Sequence, residues 1–174
     1  MKRNLTKRLI WLLPLFFLGC ATVDNPPETV AQVNLERYMG TWYEISAFPD
    51  SLQAGCRCTM ARYKLSGDHI EMVNTCLKGN QDNVTISRGI AWHHRGEPNS
   101  KLEAQFFKSF HSGYWILYLS PDYRHALVGT PNRKHLWILS RQPQMEAAQY
   151  NKMTDLARQQ GYDIKKLVRT DQSC

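Results

Sequence analysis

Apolar and polar residues alternate in short runs along most of the chain, the period of a strand with one face buried and the other wet. The alternation predicts strands over 40–48, 58–65, 69–77, 85–93, 101–107, 114–120, 125–130 and 135–141. Turn-forming residues stand between the runs: Ser66-Gly67-Asp68, Gly79-Asn80, Gly96-Glu97-Pro98-Asn99, Ser112-Gly113, Pro121-Asp122 and Pro131-Asn132. Eight strands at such regular spacing argue for an up-and-down antiparallel β-barrel or a sandwich. After them the period changes. Over 144–160, Met145, Ala148, Gln149, Met153, Leu156 and Ala157 approximate one helical face, with Pro143 before it and Gly161 after it. A single helix that follows a closed barrel must lie outside, so the expected class is mainly β, an eight-stranded barrel with a C-terminal α-helix packed on its wall.

The amino-terminal segment follows neither period. A basic stretch, Lys2, Arg3, Lys7 and Arg8, precedes the apolar run LIWLLPLFFL at 9–18, which is interrupted by Pro14. A run this short cannot cross roughly 30 Å of hydrocarbon as a helix, and it reads as a secretory signal. It ends at Gly19-Cys20, a junction that resembles the lipobox of bacterial lipoproteins. The resemblance implies cleavage after residue 19, a diacylglycerol thioether on Cys20 and an acylated new amino terminus. Ala21 stands where the sorting pattern of such lipoproteins uses Asp for inner-membrane retention, so the resemblance favours the outer membrane, in an oxidising envelope compartment. The expected organisation is a signal at 1–19, a lipidated tether at 20–33 containing Asn25-Pro26-Pro27, and one domain at 34–174.

This division changes the meaning of the charge. The whole chain of 174 residues is formally +7, but the signal holds four cations and no acid. Without it, 18 basic residues face 15 acidic ones, an ordinary surface. There is no basic stripe with interleaved aromatics, and no nucleic-acid partner is expected.

Three motifs then appear in order. Gly40-Thr41-Trp42-Tyr43, preceded by Asn34-Leu35-Glu36-Arg37-Tyr38-Met39, resembles the first signature of the lipocalin family. Pro121-Asp122-Tyr123, followed by Ala126 and Val128, resembles the second, and Leu136-Trp137-Ile138-Leu139-Ser140-Arg141 the third. Tyr43-Glu44-Ile45, Tyr123-Arg124-His125-Ala126-Leu127-Val128 and the third motif are similar to the branch that holds bacterial lipocalins and apolipoprotein D. Physically, a barrel of this size is a cup only if one end is plugged. A Trp on the first strand and an Arg on the last meet across the closure, where guanidinium stacks on indole. Gly40, Trp42 and Arg141 are thus expected as a structural floor, not as catalysts.

Period two from Arg141 sends Leu139, Trp137 and His135 inward, and from Trp42 it sends Glu44 and Ser46 inward. Matching the other strands to family strands adds Asn74, Ala91, Leu102, Ala104, Phe106, Tyr114, Ile116 and Tyr118 to the expected lining. Such an aromatic and aliphatic lining suits a long-tailed amphiphile, and the resemblance implies a fatty acid or lysophospholipid. The expected partners are that lipid and a membrane reached through the acyl chains; monomer and homodimer stay open.

Four cysteines remain in the domain, an even number that suggests two disulfides among three connectivities. A hairpin about Ser66-Gly67-Asp68 sets Cys56 nearly opposite Cys76 and leaves Cys58 for Cys174. The segments around Cys58 and Cys174 resemble apolipoprotein D segments joined by a disulfide, which points the same way. Cys56-x-Cys58 is not the usual zinc spacing, and the histidines show no ligand pattern beyond His93-His94. No metal or cofactor is expected. Nucleophile elbows, phosphate loops and paired-carboxylate patterns are missing from the sequence, so the expectation is a binder and not an enzyme. An envelope enzyme or an interaction protein on the same scaffold is the alternative.

Overall fold

The computed structural model describes residues 25–79, 83–107 and 110–174. The expected signal, Cys20 and the first part of the tether lie outside the described residues. Strands form close to where the alternation placed them: β1 Gly40–Ala47, β2 Cys56–Ser66, β3 His69–Lys78, β4 Asn83–His93, β5 Lys101–Phe107, β6 Phe110–Leu119, β7 His125–Gly129 and β8 Leu136–Ser140. β6 begins earlier than expected, and Ser112-Gly113, read from the sequence as a turn, pairs with Ala104 and Glu103 inside the β5–β6 ladder. Each pairs antiparallel with the next, and β1 pairs with both β8 and β2, which closes the sheet into a barrel. Closure leaves no free edge among these ladders to aggregate. The loops after β2, β4, β6 and β8 gather at one end, with Trp42 and Arg141, and the loops after β1, β3, β5 and β7 at the other, the mouth.

Two apolar clusters follow from the two faces of the wall. The interior one includes Tyr38, Trp42, Ala61, Tyr63, Met72, Ala91, Ala104, Tyr114, Ile116, Val128 and Leu139. The exterior one joins Ile45, Leu117, Leu127, Leu136 and Ile138 to Met153, Ala157 and Tyr162. The last group comes from helix α2, Ala147–Gln159, and the turn after it, so the helix does cover the outer wall. α2 begins three residues after Gln144, with Glu146 as its cap. Gly161 ends it at φ +81°, a conformation that suits glycine.

Strict alternation fails where a strand carries an extra residue, because a β-bulge turns the following side chain to the other face. The register of β6 on β7 shifts between Ile116 and Tyr118, so Tyr118 lies opposite Leu127 of the exterior cluster. Tyr118 therefore leaves the expected lining. Its ring packs on the outer wall, and its hydroxyl accepts a 2.9 Å hydrogen bond from Lys152 of α2. A second shift, between Glu44 and Ser46, corrects Ser46 in the same way. The Ser46 hydroxyl donates to the Val168 carbonyl at 2.7 Å and lies 3.4 Å from the Tyr150 hydroxyl of α2.

The short elements had no signal in the alternation, among them a helical turn before β1 and a strand after α2. The single helical turn Leu35–Tyr38, named α1, is capped by Asn34, whose side chain accepts from the Arg37 amide. The two-residue strand β9, Val168–Arg169, pairs with Ser46 and Ala47 where β2 has diverged from β1. The tail continues along this gap. The Cys58 amide donates to the Asp171 carbonyl at 2.7 Å, and Gln172 Nε2 donates to the carbonyls of both Glu44 and Thr59 at 2.8 Å. Cys56 is joined to Cys76 and Cys58 to Cys174, with Cα separations of 5.5 and 6.2 Å.

Candidate functional site

The floor is assembled from α1, the start of β1 and the residue after β8. A helix leaves its last carbonyls without intrahelical partners. Here the Arg141 guanidinium supplies them, donating to the carbonyls of Arg37 at 2.9 Å and Tyr38 at 3.0 Å. It also donates to Thr41 at 2.7 Å and Tyr123 at 3.3 Å, while its plane sits 3.8 Å from the centre of the Trp42 ring. The indole N–H of Trp42, fully buried, donates to the Tyr38 carbonyl at 2.8 Å. Gly40 stands at φ +94°, with Arg141 Nη1 only 3.4 Å from where a Cβ would be. A side chain there would be strained and would press on the guanidinium.

Above the floor the Tyr114 hydroxyl meets those of Tyr38 at 2.9 Å and Tyr63 at 3.0 Å. Burial pushes the Tyr63 phenol up to about 12 and raises those of Tyr38 and Tyr114 well above the ordinary value, so all three stay neutral. From Tyr114 an aromatic wall climbs to the mouth. Trp137 stacks on Tyr114 with ring centres 6.5 Å apart, and His135 stacks on Trp137 at 5.8 Å. His135 Nδ1 lies 3.6 Å from the carboxylate of Asp50, which belongs to the loop after β1.

Two polar groups interrupt the lining. Glu44 is 8% exposed, and its carboxylate accepts from Thr170 Oγ1 at 2.7 Å and Gln53 Nε2 at 3.3 Å. Burial raises its pKa against these two donors. Asn74, opposite Ala61 and two residues from Met72, faces the interior, and its Oδ1 is buried with no hydrogen-bond partner.

Of the expected lining, Ala91, Leu102, Ala104, Phe106, Tyr114, Ile116, Trp137 and Leu139 sit in the interior cluster or pack against it. Asn74 shares that face, His135 stands at the mouth, and Tyr118 is outside. The expectation missed Tyr38 and Tyr63. Tyr38 falls inside the first motif, and period two from Ala61 would have shown that Tyr63 shares its face. Among the described residues, no cluster of three or more His, Cys, Asp and Glu has a geometry that could hold a metal ion.

Comparison with known proteins agrees with this geometry. Residues 33–172 match the model of the family described as a lipocalin-like domain. Temperature-induced lipocalin-1 of Arabidopsis thaliana is 40% identical over 165 residues, covering 87% of this chain and 86% of the relative. Outer membrane lipoprotein Blc of Escherichia coli is 33% identical over 172 residues, covering 92% and 97%. Apolipoprotein D of Mus musculus is 31% identical, covering 84% and 81%. Among solved structures, lobster apocrustacyanin A1 superposes with a TM-score of 0.69 at 20% identity, over 81% of each chain. Insecticyanin from the tobacco hornworm Manduca sexta gives 0.66 at 20%, over 83% and 84%; both likenesses concern the fold. With the plugged barrel, the outer helix and the three motifs in place, the chain belongs to the lipocalin family.

Proposed function

We propose that the barrel holds one amphipathic lipid, a lysophospholipid in preference to a fatty acid, at an outer membrane to which Cys20 anchors the chain. Lipocalins bind small hydrophobic ligands and are in general not enzymes. The aromatic wall of Tyr114 and Trp137 offers apolar surface to an acyl tail. The observation that carries the finer reading is Asn74. A buried carbonyl oxygen without a donor costs about 1–3 kcal/mol, and such groups in native structures call for an explanation. A ligand hydroxyl would satisfy it. The free glycerol hydroxyl of a lysophospholipid can donate, whereas an ionised fatty acid brings acceptors only.

The reading as a binder is supported by the cysteines. All four of the domain are in disulfides, so none offers a thiolate nucleophile. The outer-membrane reading is supported by the Gly19-Cys20 junction and by relatives named outer membrane lipoproteins.

Mass spectrometry of lipid extracted from gently purified protein tests the ligand. Lysophospholipid near one per barrel is expected, and Asn74→Leu should lower its binding several-fold while leaving fatty-acid binding little changed. Equal loss for both lipids would remove the role of Asn74, and lipid-free wild-type protein would contradict the reading.

A further inference from the structure

Among the described residues, six large apolar side chains are more than half exposed: Leu52, Val84, Ile86, Phe107, Phe110 and Val168. All six belong to the mouth half of the barrel. Leu52 is in the loop after β1, Val84 and Ile86 open β4, Phe107 and Phe110 flank the turn from β5 to β6, and Val168 pairs with the last residue of β1. The loops at the floor end expose Gly67, Asp68, Arg95, Glu97 and Asp122 instead. Exposed apolar residues scattered singly need no explanation, but a set confined to one rim marks a contact surface.

The path of the tether identifies what the rim meets. Val33 is held at the floor end by Asn99, with its amide donating to Asn99 Oδ1 at 2.9 Å. Followed backwards, the chain bonds to Ile116 through Val30 and to Gln160 through Glu28. At Asn25 its carbonyl accepts a 2.7 Å hydrogen bond from Arg133, which lies in the turn between β7 and β8 at the mouth. The tether therefore runs up the outer wall and leaves the domain at the mouth. Cys20 is five residues further, a span of at most ~17 Å. Phe110 at the start of β6 rises above the β7–β8 turn by the residues from Gly113, which packs beside Pro131, or about 10 Å of strand. The span from Asn25 to Cys20 is enough to bring acyl chains on Cys20 to the level of the exposed phenylalanines.

From these two observations we infer that the mouth of the barrel docks on the lipid bilayer that holds the Cys20 acyl chains, with the apolar rim inserted at the headgroup boundary. The inference rests on the lipid anchor proposed above. The occupant is a membrane surface and not a second copy of the chain, because the anchor fixes this end, and no other, beside lipid. Exposed Lys78, Lys134 and Lys165 at the same end suit anionic headgroups. Docking in this pose lets an acyl tail pass between bilayer and barrel without crossing water, so its energy cost of exposure is avoided.

The test uses the lipidated chain in vesicles of phosphatidylethanolamine and phosphatidylglycerol. One variant, Phe110→Cys, carries an environment-sensitive fluorophore at the rim, and another, Asp68→Cys, carries it at the floor end; both are read against a quencher attached to the lipid tails. Flotation confirms that each variant is vesicle-bound. The expected result is a blue shift with at least fivefold stronger quenching at 110 than at 68. Equal quenching at both sites, or none at 110 in protein that floats, would overturn the docking pose while leaving lipid binding in the barrel untouched. A blue shift at 110 without vesicles and insensitive to the quencher would assign the rim to a dimer and also overturn it. Failure of the Asn74 and lipid-extraction experiments would remove the ligand reading without changing the quenching result.

Discussion

The guanidinium of Arg141 serves carbonyls from α1, β1 and the loop before β7, which no ammonium can reach together. Arg141→Lys keeps the charge and loses the planar fork, leaving at least two of the carbonyls unpaired at a half-buried site. We expect a loss of roughly 2–4 kcal/mol in urea unfolding; a loss below ~0.5 kcal/mol would show that water replaces the fork. Glu44 gives a pH-dependent counterpart. Its folded pKa lies above the ordinary 4.5 because burial disfavours the charge. Deprotonation is thus harder in the fold than in the unfolded chain, and the wild type loses stability as pH rises from the ordinary value through the raised one. Glu44→Gln removes this loss. The variant should gain on the wild type across that interval and hold a constant difference below it; parallel stability curves through the interval would contradict the assignment. At this scale the sequence was readable where strands are regular. Trp137, Leu139 and Arg141 follow period two because β8 has no bulge, whereas Ser46 and Tyr118 follow bulges that no residue type announces. The unpaired oxygen of Asn74 is a property of its surroundings and has no trace in the sequence.

Among the elements, α2 and most hairpins could be read from alternation and turn residues, with ends moved by a few positions; the β5–β6 hairpin was misplaced, because Ser112 and Gly113 look like a turn but pair within the ladder. The C-terminal tail could not be read. It is too short and too polar for a periodic signal, and it is held by backbone pairing with β1, by Gln172 and by the Cys58–Cys174 link. That link closes a loop of 116 residues, so its removal frees much of the unfolded chain. Cys58→Ser combined with Cys174→Ser should cost roughly 2–5 kcal/mol, and it should open the tail, seen as faster amide exchange at Thr170. Unchanged exchange there would mean that β9 pairing holds the tail without the bond.

For the whole molecule, alternation alone left barrel and sandwich open, and closure with its plug became legible through the motifs, because Gly-x-Trp on the first strand and Arg on the last meet across the seam of a barrel. Direction relative to the membrane was not, since it depends on where the tether exits. Cys20→Ala should yield a folded domain released from the membrane fraction; tight retention would argue against the anchor. If the barrel interior is the ligand site, Trp137 on its wall must meet the ligand. Trp137→Glu places an unpaired carboxylate among apolar groups, and Tyr118→Phe changes a ring on the outer wall by one hydroxyl. Titration with a fluorescent fatty acid, with circular dichroism confirming β-structure, should show binding abolished in Trp137→Glu and kept in Tyr118→Phe. Wild-type binding by a folded Trp137→Glu variant would contradict the interior as the site.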